Sequence, residues 1–393
     1  MAKKKTPVNV SDLAAGTFTG VDEVSNFGDR LARYGQARSR ALGMLSHLRS
    51  NPTSEAPKAA KAAAGLAGCG NYLHFREYYT VDKVRLHNAQ FCKQHLICPL
   101  CAIRRGAKAL GAYLARWEVI RTERPDLRPY LVTFTVKNGD DLQERQTHLT
   151  KCLKRLLQHR RSFNAGLRGH AYTEMCKAQG AVYTLELTNK GNGWHPHCHM
   201  IVLAASEPSQ GALSIEWESI SGDSFIVDVR PITGDPSEGF MEVFKYAVKF
   251  SDLSLADNWH AAQLLKGKRL LGSFGLFRGV QVPESLLDEP LDSLPYWDRF
   301  YRYVGDEYRF TGESPKPNPK DEILESCSYE VVPENQRTVT GTPQDKIEKS
   351  RKRRAYALRR MSLAVDRQIT AHVDDEKNKA GLWVMAWARV AKP

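Results

Sequence analysis

Tyr183-Thr184-Leu185-Glu186-Leu187-Thr188, Asn189-Lys190-Gly191-Asn192-Gly193, then Trp194-His195-Pro196-His197-Cys198-His199-Met200-Ile201-Val202 is the stretch whose reading decides the fold. The Asn/Gly-rich middle is a turn signal, so Gly180 to Thr188 and His197 to Ala204 read as two strands of a hairpin. Alternate residues of a strand point to one face, so His197 and His199 project together and Cys198 and Met200 lie behind them. Two imidazoles side by side on a strand can hold a divalent metal. His195 has the same parity, although Pro196 can turn the chain before it. The plain alternative is a surface strand that carries histidines. On the partner strand Tyr183, Leu185 and Leu187 share one face and Thr184, Glu186 and Thr188 the other. A carboxylate within an apolar strand needs a partner if buried, and a metal at His197 and His199 is such a partner. Glu186 and His195 both stand as candidates for the third ligand. Mixed nitrogen and oxygen ligation with open positions suits Mg²⁺ or Mn²⁺.

Outward from the hairpin, Pro129 to Val136 reads as a strand and Asp141 to His159 as a helix whose Leu149, Cys152, Leu153 and Leu156 face the core. Phe225 to Val229 reads as a further strand. Pro236, Ser237 and Glu238 are start signals for a helix with an apolar stripe at Phe240, Val243, Phe244 and Ala247. The order β-α-β-β-(β)-α predicts an α+β fold, an antiparallel sheet with helices on one or both faces. Asn26 to Arg49 reads as an amphipathic helix and Asn51 to Gly65 as a linker with a short helical tendency.

The chemistry-bearing side of the helix after Pro236 carries Glu242, Tyr246 and Lys249 at i, i+4 and i+7. A carboxylate, a phenol and an ammonium on one face near paired histidines make a phosphodiester-cleaving site; a solvated helix face with a structural tyrosine is the alternative. Cys98-Pro99-Leu100-Cys101 has the spacing of a zinc knuckle, and Cys69 and Cys92 would complete four thiolates around a structural Zn²⁺. His74, His87 and His95 are also available to that site. Arg104, Arg105 and Lys108 follow on a helix, either to meet phosphates or to line a solvated face. The formal net charge of the 393-residue chain is +13, which points to a polyanionic partner such as nucleic acid. No apolar run is long enough to span a bilayer, and the basic start Met1-Ala2-Lys3-Lys4-Lys5 lacks the apolar core of a secretory leader. A cytoplasmic protein is expected.

With these motifs in this order, the chain resembles the HUH endonucleases, and among them the single-tyrosine rolling-circle replication initiators of small bacterial plasmids. The resemblance runs from about Cys69 to about Phe277. It rests on the cysteine segment, on Leu131-Val132-Thr133-Phe134-Thr135-Val136-Lys137-Asn138, on the histidine strand, on the Tyr246 helix and on Lys266-Gly267-Lys268-Arg269-Leu270-Leu271. It implies that Tyr246 attacks a phosphate of single-stranded DNA at the plasmid origin, leaving a 5′-phosphotyrosine and a 3′-OH primer. It implies a carboxylate on the adjacent strand as third metal ligand, which favours Glu186. It makes Glu242 a general base for the closing cleavage, and Lys266, Lys268 and Arg269 contacts to DNA. On the residues themselves, Lys245 or Lys249 is placed to stabilise the phenolate or the phosphate charge.

Four segments are expected: a helical region and linker (1–64), a zinc module (65–110), the nuclease (111–278), and an extension (279–393), partly disordered, whose basic run Lys349-Ser350-Arg351-Lys352-Arg353-Arg354 meets DNA backbone or lies in solvent. Without a Gly-x-x-x-x-Gly-Lys-Ser/Thr loop, unwinding is expected to fall to a host helicase. The competing readings are a non-enzymatic zinc-dependent DNA-binding regulator, a relaxase, and an HUH transposase. In a relaxase the tyrosine normally precedes the histidines. A transposase of this type lacks the cysteine module.

Overall fold

The hairpin lies at the centre of a five-stranded antiparallel sheet. A computed structural model describes residues 24–51, 56–244, 253–291 and 294–314. In chain order its elements are α1 (Phe27–Ser50), α2 (Ala56–Gly68), β1 (Tyr72–Tyr78), β2 (Lys83–Ala89), α3 (Pro99–Glu123), β3 (Arg128–Thr135), α4 (Leu142–Asn164), β4 (Gly180–Asn189), β5 (Trp194–Ala204), α5 (Gln210–Ser221), β6 (Val227–Pro231), α6 (Pro236–Phe244), α7 (Leu255–Leu265), β7 (Leu271–Gly275), β8 (Trp297–Val304) and β9 (Glu307–Glu313). The sheet order is β6-β3-β5-β4-β7, and every pairing in it is antiparallel. This is the α+β class expected from the sequence.

Strand alternation decides what each face of this sheet does. Val132 and Phe134 of β3, Leu185 of β4 and Cys198, Met200 and Val202 of β5 point to one face. There they meet Leu149, Cys152, Leu153 and Leu156 of α4 and Leu213 and Trp217 of α5. Leu131, Val182, Ile201 and Leu203 point to the other face, against Leu110, Tyr113, Trp117 and Ile120 of α3 and Phe240, Val243 and Phe244 of α6. Apolar packing of this second face gives way to polar groups at Thr184, Glu186, His197 and His199. The turn between β4 and β5 depends on Gly193: its φ is +81°, and a Cβ there would lie 2.8 Å from the Gly139 carbonyl oxygen.

The chain divides into two compact units. One comprises the described parts of Met1–Asn71, Ala89–Glu289 and Tyr303–Tyr308, the other those of Tyr72–Asn88, Pro290–Arg302 and Arg309–Pro393. The second unit is built on a four-stranded sheet, order β2-β1-β8-β9. Its centre pairs His74 with Phe300 and Arg76 with Asp298. His74 Nε2 lies 2.7 Å from an Asp298 carboxylate oxygen and its ring stacks on Phe300.

These units differ from the four consecutive segments expected. Helix α3 crosses the 110/111 boundary, with Cys98 and Cys101 at its start and Tyr113 and Trp117 against the five-stranded sheet. Residues beyond 279 supply β8 and β9. Within the expected linker, Ala56–Gly68 is helical, its Ala59, Ala62, Ala63 and Leu66 buried.

Candidate functional site

Three side chains converge on the second face of the five-stranded sheet. Glu186 faces His197 across the β4–β5 pair, and His199 lies two residues further along β5. Nε2 of His197 is 2.8 Å and Nε2 of His199 is 2.9 Å from the same oxygen, Glu186 Oε2. All three residues are buried, Glu186 to 2 % exposure. The back of each ring is held as well. His197 Nδ1 donates to the His195 carbonyl at 3.2 Å, and His199 Nδ1 lies 3.1 Å from the Thr133 hydroxyl.

This donor set fits a divalent cation. A carbonyl only accepts, so the proton of a neutral His197 ring sits on Nδ1 and Nε2 carries a lone pair. That lone pair faces a carboxylate oxygen, which also offers only lone pairs. Either a second proton on the imidazole or a cation reconciles them. Ligands about 2.1 Å from an octahedral ion, at right angles to one another, stand about 3 Å apart, close to the spacings found. Glu186, not His195, joins the cluster; His195 contributes its backbone carbonyl, and burial lowers the pKa of its ring.

Helix α6 ends against this site. The Thr184 hydroxyl, on the same face as Glu186, donates to the Val243 carbonyl at 2.8 Å. Glu242 lies half-buried on that last turn. Lys245, Tyr246, Ala247 and Lys249 lie outside the described residues, as does the basic run at 349–354.

A second cluster gathers Cys69, Cys92, Cys98 and Cys101. Sγ–Sγ distances are 3.6 Å for Cys69–Cys98, Cys69–Cys101 and Cys92–Cys101. Four sulfurs about 2.3 Å from a tetrahedral Zn²⁺ would stand about 3.8 Å apart, and a disulfide needs about 2 Å, so the arrangement fits the ion. Hydrogen bonding among the four thiols, led by Cys101, holds Cys69 and Cys92 below the ordinary thiol range and pushes Cys98 and Cys101 above it. His74 is engaged by Asp298 and His87 packs edge-on against His74, so neither belongs to this set.

The sequence-predicted cations divide sharply. Lys266, Lys268 and Arg269 are exposed on the loop from α7 to β7, and the next residue, Leu270, accepts the backbone N–H of Leu185 at 2.9 Å. That loop therefore meets the sheet beside Glu186. Arg105 is exposed on α3. Arg104 meets neither expectation for it: only 3 % exposed, it forms an ion pair with Asp288 and donates to the Leu286 carbonyl at 2.7 Å and the Tyr34 hydroxyl at 2.8 Å. Lys108 pairs with Glu289. Sequence reading passed over Thr133, whose signal was its parity with Thr135 on a strand flanking the histidines, and Arg30, which shares Asp288 with Arg104.

Comparison with known proteins agrees with this picture. A family described as replication protein matches residues 83–296, more than half of the chain. A "Protein rep" of Bacillus sp is 26 % identical over 272 residues, 59 % of this chain and 84 % of the relative. A "Protein rep" of Bacillus amyloliquefaciens is 25 % identical over 273 residues, 59 % and 76 % respectively. No solved structure matches. Among the described residues, no helix is long and apolar enough to cross a membrane. The matched span takes in both the Glu186–His197–His199 site and three of the four clustered cysteines, and on it the chain belongs to the replication protein family.

Proposed function

We propose that the chain is a rolling-circle plasmid replication initiator that nicks and rejoins DNA through Tyr246. The observation that carries this is the convergence of Glu186, His197 and His199 on one buried point, 2.8 and 2.9 Å apart, on a rigid strand pair. Those three residues would hold a Mg²⁺ or Mn²⁺ ion, and when bound the ion supplies Lewis-acid polarisation of the scissile phosphate. A phenol is a weak nucleophile near neutral pH, so such polarisation is what the chemistry requires.

In this reading the Tyr246 oxygen forms a bond to phosphorus as the bond to the 3′ oxygen breaks, and the freed 3′-OH primes synthesis. Lys249 balances charge on the phosphate, and Glu242 accepts the proton of the water used in the closing cleavage. The exposed cations Lys266, Lys268, Arg269 and Arg105 contact the DNA backbone. The four cysteines hold a structural Zn²⁺. A host helicase opens the duplex, and the reaction belongs to the bacterial cytoplasm.

One incubation tests it. Supercoiled or single-stranded origin DNA with Mn²⁺ should give a covalent protein–DNA adduct, and Tyr246→Phe should give none while still binding DNA. Binding with no adduct from the unaltered chain would favour a zinc-dependent DNA-binding regulator instead. Glu242→Ala should form the adduct but fail to release a finished strand; equal loss of both steps would remove its proposed role.

A further inference from the structure

Between Glu144 and Glu174 the chain holds no acidic residue, yet seven lysines and arginines fall there, from Arg145 to Arg168. The fold uses two of them. Arg145 pairs with Asp223 at 2.9 Å, and Arg160 donates to the Ala178 carbonyl at 2.9 Å and lies over the Phe274 ring. The other five, Lys151, Lys154, Arg155, Arg161 and Arg168, are exposed, and among the described residues none of them meets a carboxylate. Surface arginines elsewhere do: Arg121 pairs with Glu118, Arg124 with Asp126 and Arg230 with Asp228.

Four of the five share one face of α4. Helical spacing aligns Lys151, Lys154, Arg155, Gln158 and Arg161 along one side. Leu149, Cys152, Leu153 and Leu156 take the opposite side and pack on the sheet. The cations therefore point out from the helix layer, over about 15 Å of α4. Helix stability does not account for them. Like charges three and four residues apart disfavour a helix, and the helix dipole favours a cation only in the last turn, where Arg161 alone of the four stands. Nor do they belong to the candidate metal site. Helix α4 covers the side of the sheet that bears Leu185 and Cys198, whereas Glu186, His197 and His199 point to the other. The sheet and a helix about 10 Å thick stand between.

We propose that the outer face of α4 binds the phosphate backbone of duplex DNA, at a site separate from the scissile strand. A row of uncompensated cations on the surface of a replication protein calls for a polyanion. Two features choose the duplex. A single strand is gripped by aromatic rings on which its bases stack, and none of the outward residues Lys151, Lys154, Arg155, Gln158 and Arg161 has a ring. An anionic bilayer takes apolar side chains set beside the cations. The exposed hydrophobes nearby, Phe163, Leu167 and Tyr172, lie beyond Arg161, and Phe163 follows Leu156 by two helical turns, on the side away from the cations. The inference rests on the chain acting on DNA, as proposed above, and not on the nicking step.

Binding of a short blunt duplex and of an oligothymidylate is measured against salt, without divalent metal. The variant Lys154→Gln/Arg155→Gln/Arg161→Gln should lose about three phosphate contacts, which makes the slope of log affinity against log salt shallower by about 2.7 for the duplex. Raising salt from about 50 to about 200 mM should then cost the unaltered chain about 40 times more affinity than the variant. A charge-matched control, Arg121→Gln/Arg124→Gln/Arg230→Gln, should keep the duplex slope, and neither variant should change the slope for oligothymidylate. A duplex slope unchanged in the α4 variant, or lowered equally in the control, overturns the proposal. So does an equal loss for oligothymidylate, which makes this face a single-strand track. Sedimentation with phosphatidylserine vesicles that the α4 variant loses while its duplex slope stays makes the face a membrane contact and overturns the proposal too. If the duplex slope falls as expected but the unaltered chain forms no adduct with Mn²⁺, only the nicking role is overturned. An adduct together with an unchanged duplex slope overturns only this face.

Discussion

Replacing Glu186 by Gln keeps the shape of the side chain and removes its charge. Both histidine Nε2 atoms lie within 2.9 Å of the oxygen concerned, and Glu186 is only 2 % exposed, so its oxygen is not readily replaced by solvent. In the metal-free chain the variant should fold with unchanged or slightly raised stability, because a buried carboxylate is itself costly. The difference should emerge on adding Mn²⁺. At about 100 times Kd a bound ion stabilises the fold by about 2.7 kcal/mol. For a domain of this size that corresponds to a rise in Tm of about 5–10 °C. Losing even an outer-shell partner of a metal site weakens binding about 10- to 100-fold, and losing a direct ligand costs at least as much. At the same Mn²⁺ concentration Glu186→Gln should therefore keep only about 0.4–1.4 kcal/mol of the gain, about 1–5 °C. Differential scanning fluorimetry across a Mn²⁺ titration reads this directly. An undiminished shift in the variant would refute Glu186 as a ligand, and an equally large shift in a His197→Ala, His199→Ala double variant would place the ion elsewhere.

Elemental analysis of purified protein should find about one Zn²⁺ per chain, and Cys98→Ser, which removes a buried member of the four-thiol set, should lose the ion and aggregate. Arg104→Met should destabilise the fold by about 3–5 kcal/mol in a denaturant titration, since it strands the half of Asp288 that Arg30 does not serve, and it should leave affinity for DNA per folded molecule unchanged. Burial opposes ionisation of Asp298, but the His74 hydrogen bond and the nearby Arg76 charge outweigh it and hold the carboxyl below its ordinary value. A depressed carboxyl stabilises the fold above about pH 4 and loses that contribution on further acidification, so Asp298→Asn should flatten the acid limb of the stability profile.

The hairpin and the shared face of Glu186, His197 and His199 were legible because alternation in Gly180 to Val202 is a local property. The resemblance already favoured Glu186 over His195, and the pairing sets Glu186 opposite His197 while the His195 ring is not part of the cluster. The cysteine set was legible from spacing, but which thiols join was settled by the return of β2 and the start of α3 to Cys69. Arg104 was misread because its partner, Asp288, lies far along the chain and no local pattern marks a buried cation. The four-stranded sheet escaped for the same reason, β1 finding β8 across the whole length of the five-stranded sheet's sequence. Helix α5 did carry a local signal, the Ser209 cap with Leu213 and Trp217 one turn apart, which the hairpin overshadowed.

The pairing of β1 with β8 sets an order of events on the ribosome. The β1–β2 hairpin emerges with the Tyr72–Glu77 edge unpaired, and its partner, Trp297–Arg302, follows only after about 200 further residues. At about 5 to 20 residues per second that interval is roughly 10 to 40 s. Throughout it a strand bearing Leu73 and Phe75 offers an open edge to any other nascent chain. Ribosome-bound chains stopped before Trp297 should be markedly more prone to aggregate, when released, than chains stopped after Glu313.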